Sequence, residues 1–141
     1  MTPNDHLLSM SALISHAARR AMRKARAEHV AGRLSLEKFN RAVADYDATV
    51  EHAAQMAEAA IHHSAASLTE LTTAVAASTD RIKQDVQRID HASDTLKILG
   101  SILAFAAAIV LAVATPALIP GVVAAGASLA TTLHDSAASD E

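Results

Sequence analysis

Residues 98–133 read ILGSILAFAAAIVLAVATPALIPGVVAAGASLATTL, thirty-six residues without an acidic side chain, a basic side chain or a histidine. A helix crosses a bilayer with about 20 apolar residues, so a run of this length rests in water only where other helices cover it. Pro116, Pro120 and Gly121 interrupt the run near its middle, and residues of that kind end one helix and start the next. The stretch therefore predicts an apolar helical hairpin, with a shorter return segment over Val122 to Leu133. Gly100, Ala104, Ala108 and Ala112 recur every four residues. That spacing lines small side chains along one stripe, where a partner helix can approach closely. Larger apolar residues fill the rest of the hairpin: Ile98, Leu99, Ile102, Leu103, Phe105, Ile109, Val110, Leu111, Val113, Leu118, Ile119, Val122 and Val123. These thirteen are the candidate membrane-interacting side chains.

The remaining chain points to an all-α protein. Of 141 residues 34 are Ala, three are aromatic (Phe39, Tyr46, Phe105) and four are Gly. Ala has the highest helix propensity, and the aromatic residues that favour sheet are few. There is no Cys, which excludes a disulfide framework and a thiolate metal or redox site. The N-terminal residues, with Asp5, His6 and the arginines that follow, lack the uninterrupted apolar core of a signal peptide.

Helix signals divide the first 97 residues. Thr2 or Asn4 caps a first helix with Pro3 in its first turn, apolar positions at Leu7, Met10, Ile14, Ala17, Ala21 and Ala25 form one face, and Gly32 ends it. Ser35 caps the next, with Lys38 where a capping box would place Glu or Gln. No Gly or Pro occurs from Arg33 to Leu99. Within that span Leu36, Phe39, Val43, Tyr46, Val50, Ala53, Ala57 and Ala60 form one heptad seam, and Leu68, Leu71, Val75, Ile82, Val86, Ile89 and Leu96 form another. The register shifts at Ser64 to Ser67, and Ser67-Leu68-Thr69-Glu70 is a capping box at that point. Two helices over about 35–65 and 68–98 are expected, one long helix with a stutter being the alternative. The resulting organisation is an amphipathic bundle or coiled coil over 1–97, the apolar hairpin over 98–133 and an acidic tail over 134–141.

Ile89 to Ile98, passing directly into the Ala/Val/Ile-rich hairpin, resembles the join between long amphipathic helix and hydrophobic head in helical pore-forming toxins of the haemolysin E and haemolysin BL type. The resemblance covers about residues 68–133 and is one of texture rather than of a defined motif. It implies a bundle that shelters an apolar head in the soluble form and releases it into a bilayer as a ring assembles. This chain is much shorter than typical members of that family.

Charge is unevenly placed. Residues 1–33 carry six bases, Arg19, Arg20, Arg23, Lys24, Arg26 and Arg33, against Asp5 and Glu28, a balance of 6 − 2 = +4, while residues 34–97 carry ten acids against six bases, 6 − 10 = −4. Arg19, Arg20, Arg23, Lys24 and Arg26 on one helix suit anionic lipid head groups, or they pair with the acidic middle helices. Nucleic acid is not expected, since neither overall basicity nor a recognition motif accompanies them. No nucleophile elbow, glycine-rich phosphate loop or zincin motif is present, so neither an enzyme, a cofactor nor a small-molecule substrate is expected. Glu58, His62 and His63 offer too few ligands for a metal site. The eight histidines are surface residues or, where they cluster, groups that charge as pH falls. The reading is a membrane-inserting helical protein, pore-forming or part of a pore-forming assembly. It is membrane-associated or soluble before insertion, and its partners are membrane lipid and further chains in a homo- or hetero-oligomer. The alternative is a soluble helical scaffold whose hairpin is buried in a permanent oligomer interface.

Overall fold

The computed structural model describes residues 2–138, with side-chain surroundings described as far as Ser136. Among them the chain forms five α-helices and no strand: α1 (Pro3–Val30), α2 (Leu36–His62), α3 (Ala65–Val86), α4 (Thr95–Ala114) and α5 (Ile119–Ala138). The protein is an all-α helical bundle. Asp140 and Glu141 of the expected acidic tail lie outside the described residues.

Local chemistry sets the helix ends. The Thr2 hydroxyl accepts from the Asp5 amide while the Asp5 carboxylate accepts from the Thr2 amide, a reciprocal capping box. The Thr2 N–H bond, reinforced by the Thr2 hydroxyl, holds the Asp5 carboxyl below the usual carboxylate range. Gly32 takes the left-handed conformation (φ 79°) that ends the first helix and that a side chain would disfavour. Ser35 caps α2 by accepting from the Lys38 amide.

Side-chain bonds between helices fix the directions. Asn4 Nδ2 donates to the carbonyls of Ala60 and His63, both at 2.8 Å, and Ser11 Oγ donates to the Ala53 carbonyl at 2.7 Å, so α1 and α2 are antiparallel. A side chain as short as Ser reaches a neighbouring backbone only where the helices nearly touch, and the buried faces supply the room: Ala17, Ala18, Ala21 and Ala25 on α1, Ala42, Ala53 and Ala60 on α2. Arg20 reaches the Gln87 carbonyl and Asp90, which sets α3 running with α1. Thr95 Oγ1 donates to Glu28 at 3.2 Å, so α4 starts beside the end of α1 and runs back along it. Helix α4 packs on α1, α2 and α5 and touches α3. It is the central member, and one apolar cluster spans all five helices.

Three expectations are corrected. The helix expected over 68–98 ends at Val86; Ile89–His91 form a 3₁₀ turn and Asp94 caps a new helix by accepting from the Lys97 amide at 3.0 Å. Ser and Asp side chains bond to nearby backbone and so stop helices without Gly or Pro. The cap of α3 is Ser64, which accepts from the Ser67 amide, and the Ser67 hydroxyl donates to the Ser64 carbonyl instead of opening a helix. The seam of α2 stands in part: Ala53 and Ala60 are buried and Phe39, Val43 and Tyr46 pack partly against the core, but Leu36 and Val50 are exposed, and Ala42, Thr49 and Met56 are buried beside the expected positions. The α3 seam stands as expected from Leu68 to Ile89, and Leu96 lies partly buried on α4.

Helices α3, α4 and α5 cross at Gly126. A Cβ there would meet Ser78 Oγ and sit 3.0 Å from Phe105 Cε1, and the buried Ser78 hydroxyl has no hydrogen-bond partner. Gly126→Val should therefore lower unfolding free energy by about 2–3 kcal/mol in denaturant titration, as overpacking does. Gly126→Ala should be milder, since the Ser78 hydroxyl can rotate away and Ala gains about 1 kcal/mol of helix propensity over Gly. Ser78→Ala should leave stability equal or raise it by about 1 kcal/mol by removing an unsatisfied polar group.

Candidate membrane interface

The hairpin is built by α4, a 3₁₀ turn at Pro116–Leu118, and α5. Thr115 is extended (φ −135°, ψ 89°), as expected of the residue preceding a proline, and this stops α4. The return helix begins earlier than its expected start at Val122: Pro120 and Gly121 lie in its first turn, where proline has no hydrogen bond to lose, and it runs past Leu133 to Ala138. Ser101 and Thr132 hydroxyls lie 3.4 Å apart between the two helices.

The thirteen apolar candidates divide by side. Ile98, Leu99, Ile102, Phe105, Ile109, Ile119 and Val122 are buried in the bundle; Leu103, Val110 and Val113 are half-buried; Leu111, Leu118 and Val123 are exposed by 56%, 45% and 43%. The small-residue stripe divides as well. Ala112 is buried, Ala108 packs partly against the core, Gly100 has nothing within 4 Å of where a Cβ would be, and Ala104 is exposed. A spacing of four overshoots the 3.6-residue turn, so the stripe winds from the outer face towards the core.

The decisive contrast lies between α4 and α1. Of the 28 residues of α1 nine are buried, and of the other 28 − 9 = 19 ten are acidic, basic or histidine. Of the 20 residues of α4 eight are buried, and of the other 20 − 8 = 12 only Lys97 is charged. Both hairpin helices are long and apolar enough to cross a membrane, with 39% of each span buried in the bundle. The hairpin thus has one apolar face against protein and a second facing outward, formed by Gly100, Ala104, Ala107, Leu111 and Ala114 of α4 with Val123, Ala124 and Ala127 of α5.

The five basic candidates fall into two groups. Arg20 pairs with Asp90 at 2.8 Å and Lys24 lies 3.9 Å from Glu28, so these two bind α1 to itself and to the segment before α4. Arg19, Arg23 and Arg26 surround a shallow surface with Met22 and Tyr46. The eight histidines are spread over the bundle. His134 lies 3.8 Å from Asp85, and His29 stacks on Phe39 with ring centres 4.6 Å apart. Glu58, His62 and His63 sit together on an exposed surface. Among the described residues no three His, Asp or Glu side chains converge as a metal site would require. A groove of about 320 Å³ between α1 and α3, lined by residues including Met10, Leu13, Val75 and Asp80, is separate from the hairpin's outer face.

Sequence reasoning missed that one stripe could face two environments. The positions of Ala104 and Ala108 separate them: Ala104→Leu should change the melting free energy by no more than about 0.5 kcal/mol, as exposed substitutions do. Ala108→Leu should cost about 1–3 kcal/mol, since it enlarges a side chain already packed on the core. Thermal unfolding of both variants checks this.

Three comparisons with known proteins place the chain in no group: no protein-family model, no curated protein and no solved structure matches it.

Proposed function

We propose that this protein is a membrane-inserting helical protein, pore-forming or a component of a pore-forming assembly, in which the α4–α5 hairpin is sheltered by the bundle before insertion and enters the bilayer as a unit. The observation that carries this reading is the second apolar face of the hairpin. A helix that is hydrophobic on all sides needs cover on all sides, from protein or from lipid. The bundle covers one side of α4 and leaves an uncharged surface from Gly100 to Ala114, about 21 Å long, on a helix whose full length of about 30 Å matches a bilayer core. The texture of residues 68–133, which resembles the helical pore-forming toxins, supports the same reading. The base of the hairpin carries Lys97 on α4 and His134 on α5, polar side chains that suit a head-group boundary. Arg19, Arg23 and Arg26 lie on the half of α1 nearest that base and suit anionic head groups.

A second reading is favoured by the size of the outer side chains. Gly100, Ala104 and Ala107 would let another helix close on α4, so the same face could be buried in a permanent oligomer of a scaffold protein.

Ala104→Arg separates the two. Ala104 is exposed and central in α4, so in the insertion reading the variant keeps its helicity and size in solution yet loses vesicle association. A charge at mid-bilayer costs at least about 2.5–3.5 kcal/mol. In the scaffold reading the unmodified protein stays out of vesicles and the substitution breaks the oligomer. Circular dichroism, size-exclusion chromatography and vesicle flotation on the same samples read all three quantities, and an Arg variant that floats as well as the parent would defeat the insertion reading.

A further inference from the structure

The heptad seam of α2 lies only half in the core. Ala53 and Ala60 are buried, whereas Leu36, Val43, Val50 and Ala57, spaced by seven, form its outer edge: Leu36 and Val50 are exposed by 62% and 40%, and Val43 and Ala57 are half-buried. Ile61 continues that edge eleven residues, or three turns, beyond Val50 and is 74% exposed. Helix α1 borders it, since Arg19, Met22, Arg23 and Arg26 surround a shallow surface with Tyr46 of the same seam. Leu8, three turns before Arg19 on α1, is exposed as well. The hairpin therefore does not hold all the exposed apolar surface of the molecule: a second stretch of it runs along the groove between α1 and α2.

The charges beside this edge form two rows of opposite sign. On α1, Arg19, Arg23 and Arg26 are exposed. On α2, Glu37, Glu51 and Glu58 each follow an edge residue by one position, at multiples of seven, and Asp47 lies between them, all four exposed. Among the described residues none of these seven takes part in an ion pair, although Arg20 and Lys24, further round α1, both do. The bond from Ser11 to the Ala53 carbonyl fixes the levels of the two antiparallel helices, so that residue numbers at one level sum to 11 + 53 = 64. Arg19 and Arg26 then lie level with residues 64 − 19 = 45 and 64 − 26 = 38 of α2, within a turn of Asp47 and Glu37.

We propose that this face of α1 and α2 is the surface on which a second copy of the chain docks, the two copies being related by a two-fold axis parallel to the helices. Half a revolution about that axis lays α2 of each copy over α1 of the other at unchanged levels. Each Arg19 then meets the other copy's Asp47 and each Arg26 the other copy's Glu37, while the two apolar edges close on one another between the rows. A seam of period seven suits a helix of the same period, and charged rows at its margins set partner and orientation in coiled coils. The occupant is a second copy rather than lipid because one margin is acidic: four carboxylates beside the edge oppose an anionic bilayer surface, whereas helices that lie on membranes carry Lys and Arg on their polar face. An unrelated acidic partner would answer the arginines and leave the carboxylates unpaired. A surface holding both rows in reverse order answers both, and the chain itself supplies one. The pairing goes beyond the proposed function and does not rest on it, since the hairpin takes no part; it leaves the arginines to anionic head groups only in separated chains.

Sedimentation equilibrium of the full chain without lipid, over a wide range of concentration, reads the dimer directly. Val50→Asp, at the centre of the edge and already partly in water, should weaken dimerisation by about thirtyfold with unchanged circular dichroism, since the interface loses two apolar side chains and gains two unpaired charges. Arg19→Asp and Asp47→Arg should each weaken it by about tenfold, because each sets like charges against one another twice. Mixing these two variants should restore a dimer at least as tight as the parent's, since every reversed charge then meets its opposite, and a merely destabilised fold would not recover on mixing. A chain that is monomeric at every concentration, singly reversed variants that dimerise like the parent, or a mixture that stays monomeric overturns the proposal. Self-association abolished by Ala104→Arg and kept by Val50→Asp assigns the contact to the hairpin and overturns it too. Loss of vesicle flotation in Val50→Asp with no change of mass in solution assigns the face to lipid, with the same result for the proposal.

Discussion

Helix α4 has no polar side, and the rest of the molecule is arranged around that constraint. Its mean hydropathy over Thr95–Ala114 is 2.4, and a segment of that kind cannot lie on the surface of a soluble bundle with its backbone bonds alone to recommend it. Burial of its Ile, Leu and Phe side chains is worth about 1.5–3 kcal/mol each, and five of them, Ile98, Leu99, Ile102, Phe105 and Ile109, are fully covered. Ala on the buried faces of α1 and α2 buries little area but lets those helices close on α4, while α3 and α5 bring larger side chains such as Leu71, Ile82, Leu129 and Leu133.

This division of labour has a mechanical consequence. Helices α1 and α2 hold each other through Ala-lined faces and backbone-directed bonds from Asn4 and Ser11, none of which involves the hairpin. The hairpin is held by apolar contact and, near its base, by the Thr95–Glu28 bond and the Asp85–His134 pair. The Arg20–Asp90 pair fastens the linker that precedes it, and with Asp90 half exposed such a pair contributes at most about 1 kcal/mol. In the proposed inserted state α4 exchanges apolar protein for apolar lipid at little cost to itself. The cost falls on the faces of α1 and α2 that pack on it, and a second chain that covered those faces would offset it. On the proposed function, assembly and insertion are coupled by the same core.

Much of this was legible in the residues. Capping side chains announced α1 and α2, period-3.5 spacing announced the seam of α3, and the proline pair announced the hairpin turn. The break between α3 and α4 was not, because Asp90-His91-Ala92-Ser93-Asp94 stops a helix by side-chain competition with the backbone, a weaker signal than Gly or Pro. The burial of Ala42 and Thr49 on α2 escaped for a related reason: a seam read by its largest residues favours Val43, which is only partly buried, and Val50, which is exposed. For the candidate site, composition gave the hairpin but not its two faces. Which of Leu111, Leu118 and Val123 look outward depends on where α1, α2 and α3 lie, and nothing local to residues 98–133 encodes that.

The separation of charge belongs to the same class of property, since it arises from topology rather than from any one segment. In the linear sequence, basic and acidic residues alternate in blocks along the chain. Folding α1 against α2 and α3 brings Arg19–Arg26, Arg33–Arg41 and Arg81–Arg88 to one end, where Asp85, Asp90 and Glu28 meet them in ion pairs. At the opposite end, that of the hairpin turn, Asn4 and Ser11 bond to backbone carbonyls and Asp5 closes the capping box of α1. A charged side chain near the turn would resist transfer into lipid, and residues 98–133 carry none. The end that carries the lysines and arginines is thus the end at which α4 begins, and the uncharged turn of the hairpin lies at the opposite end.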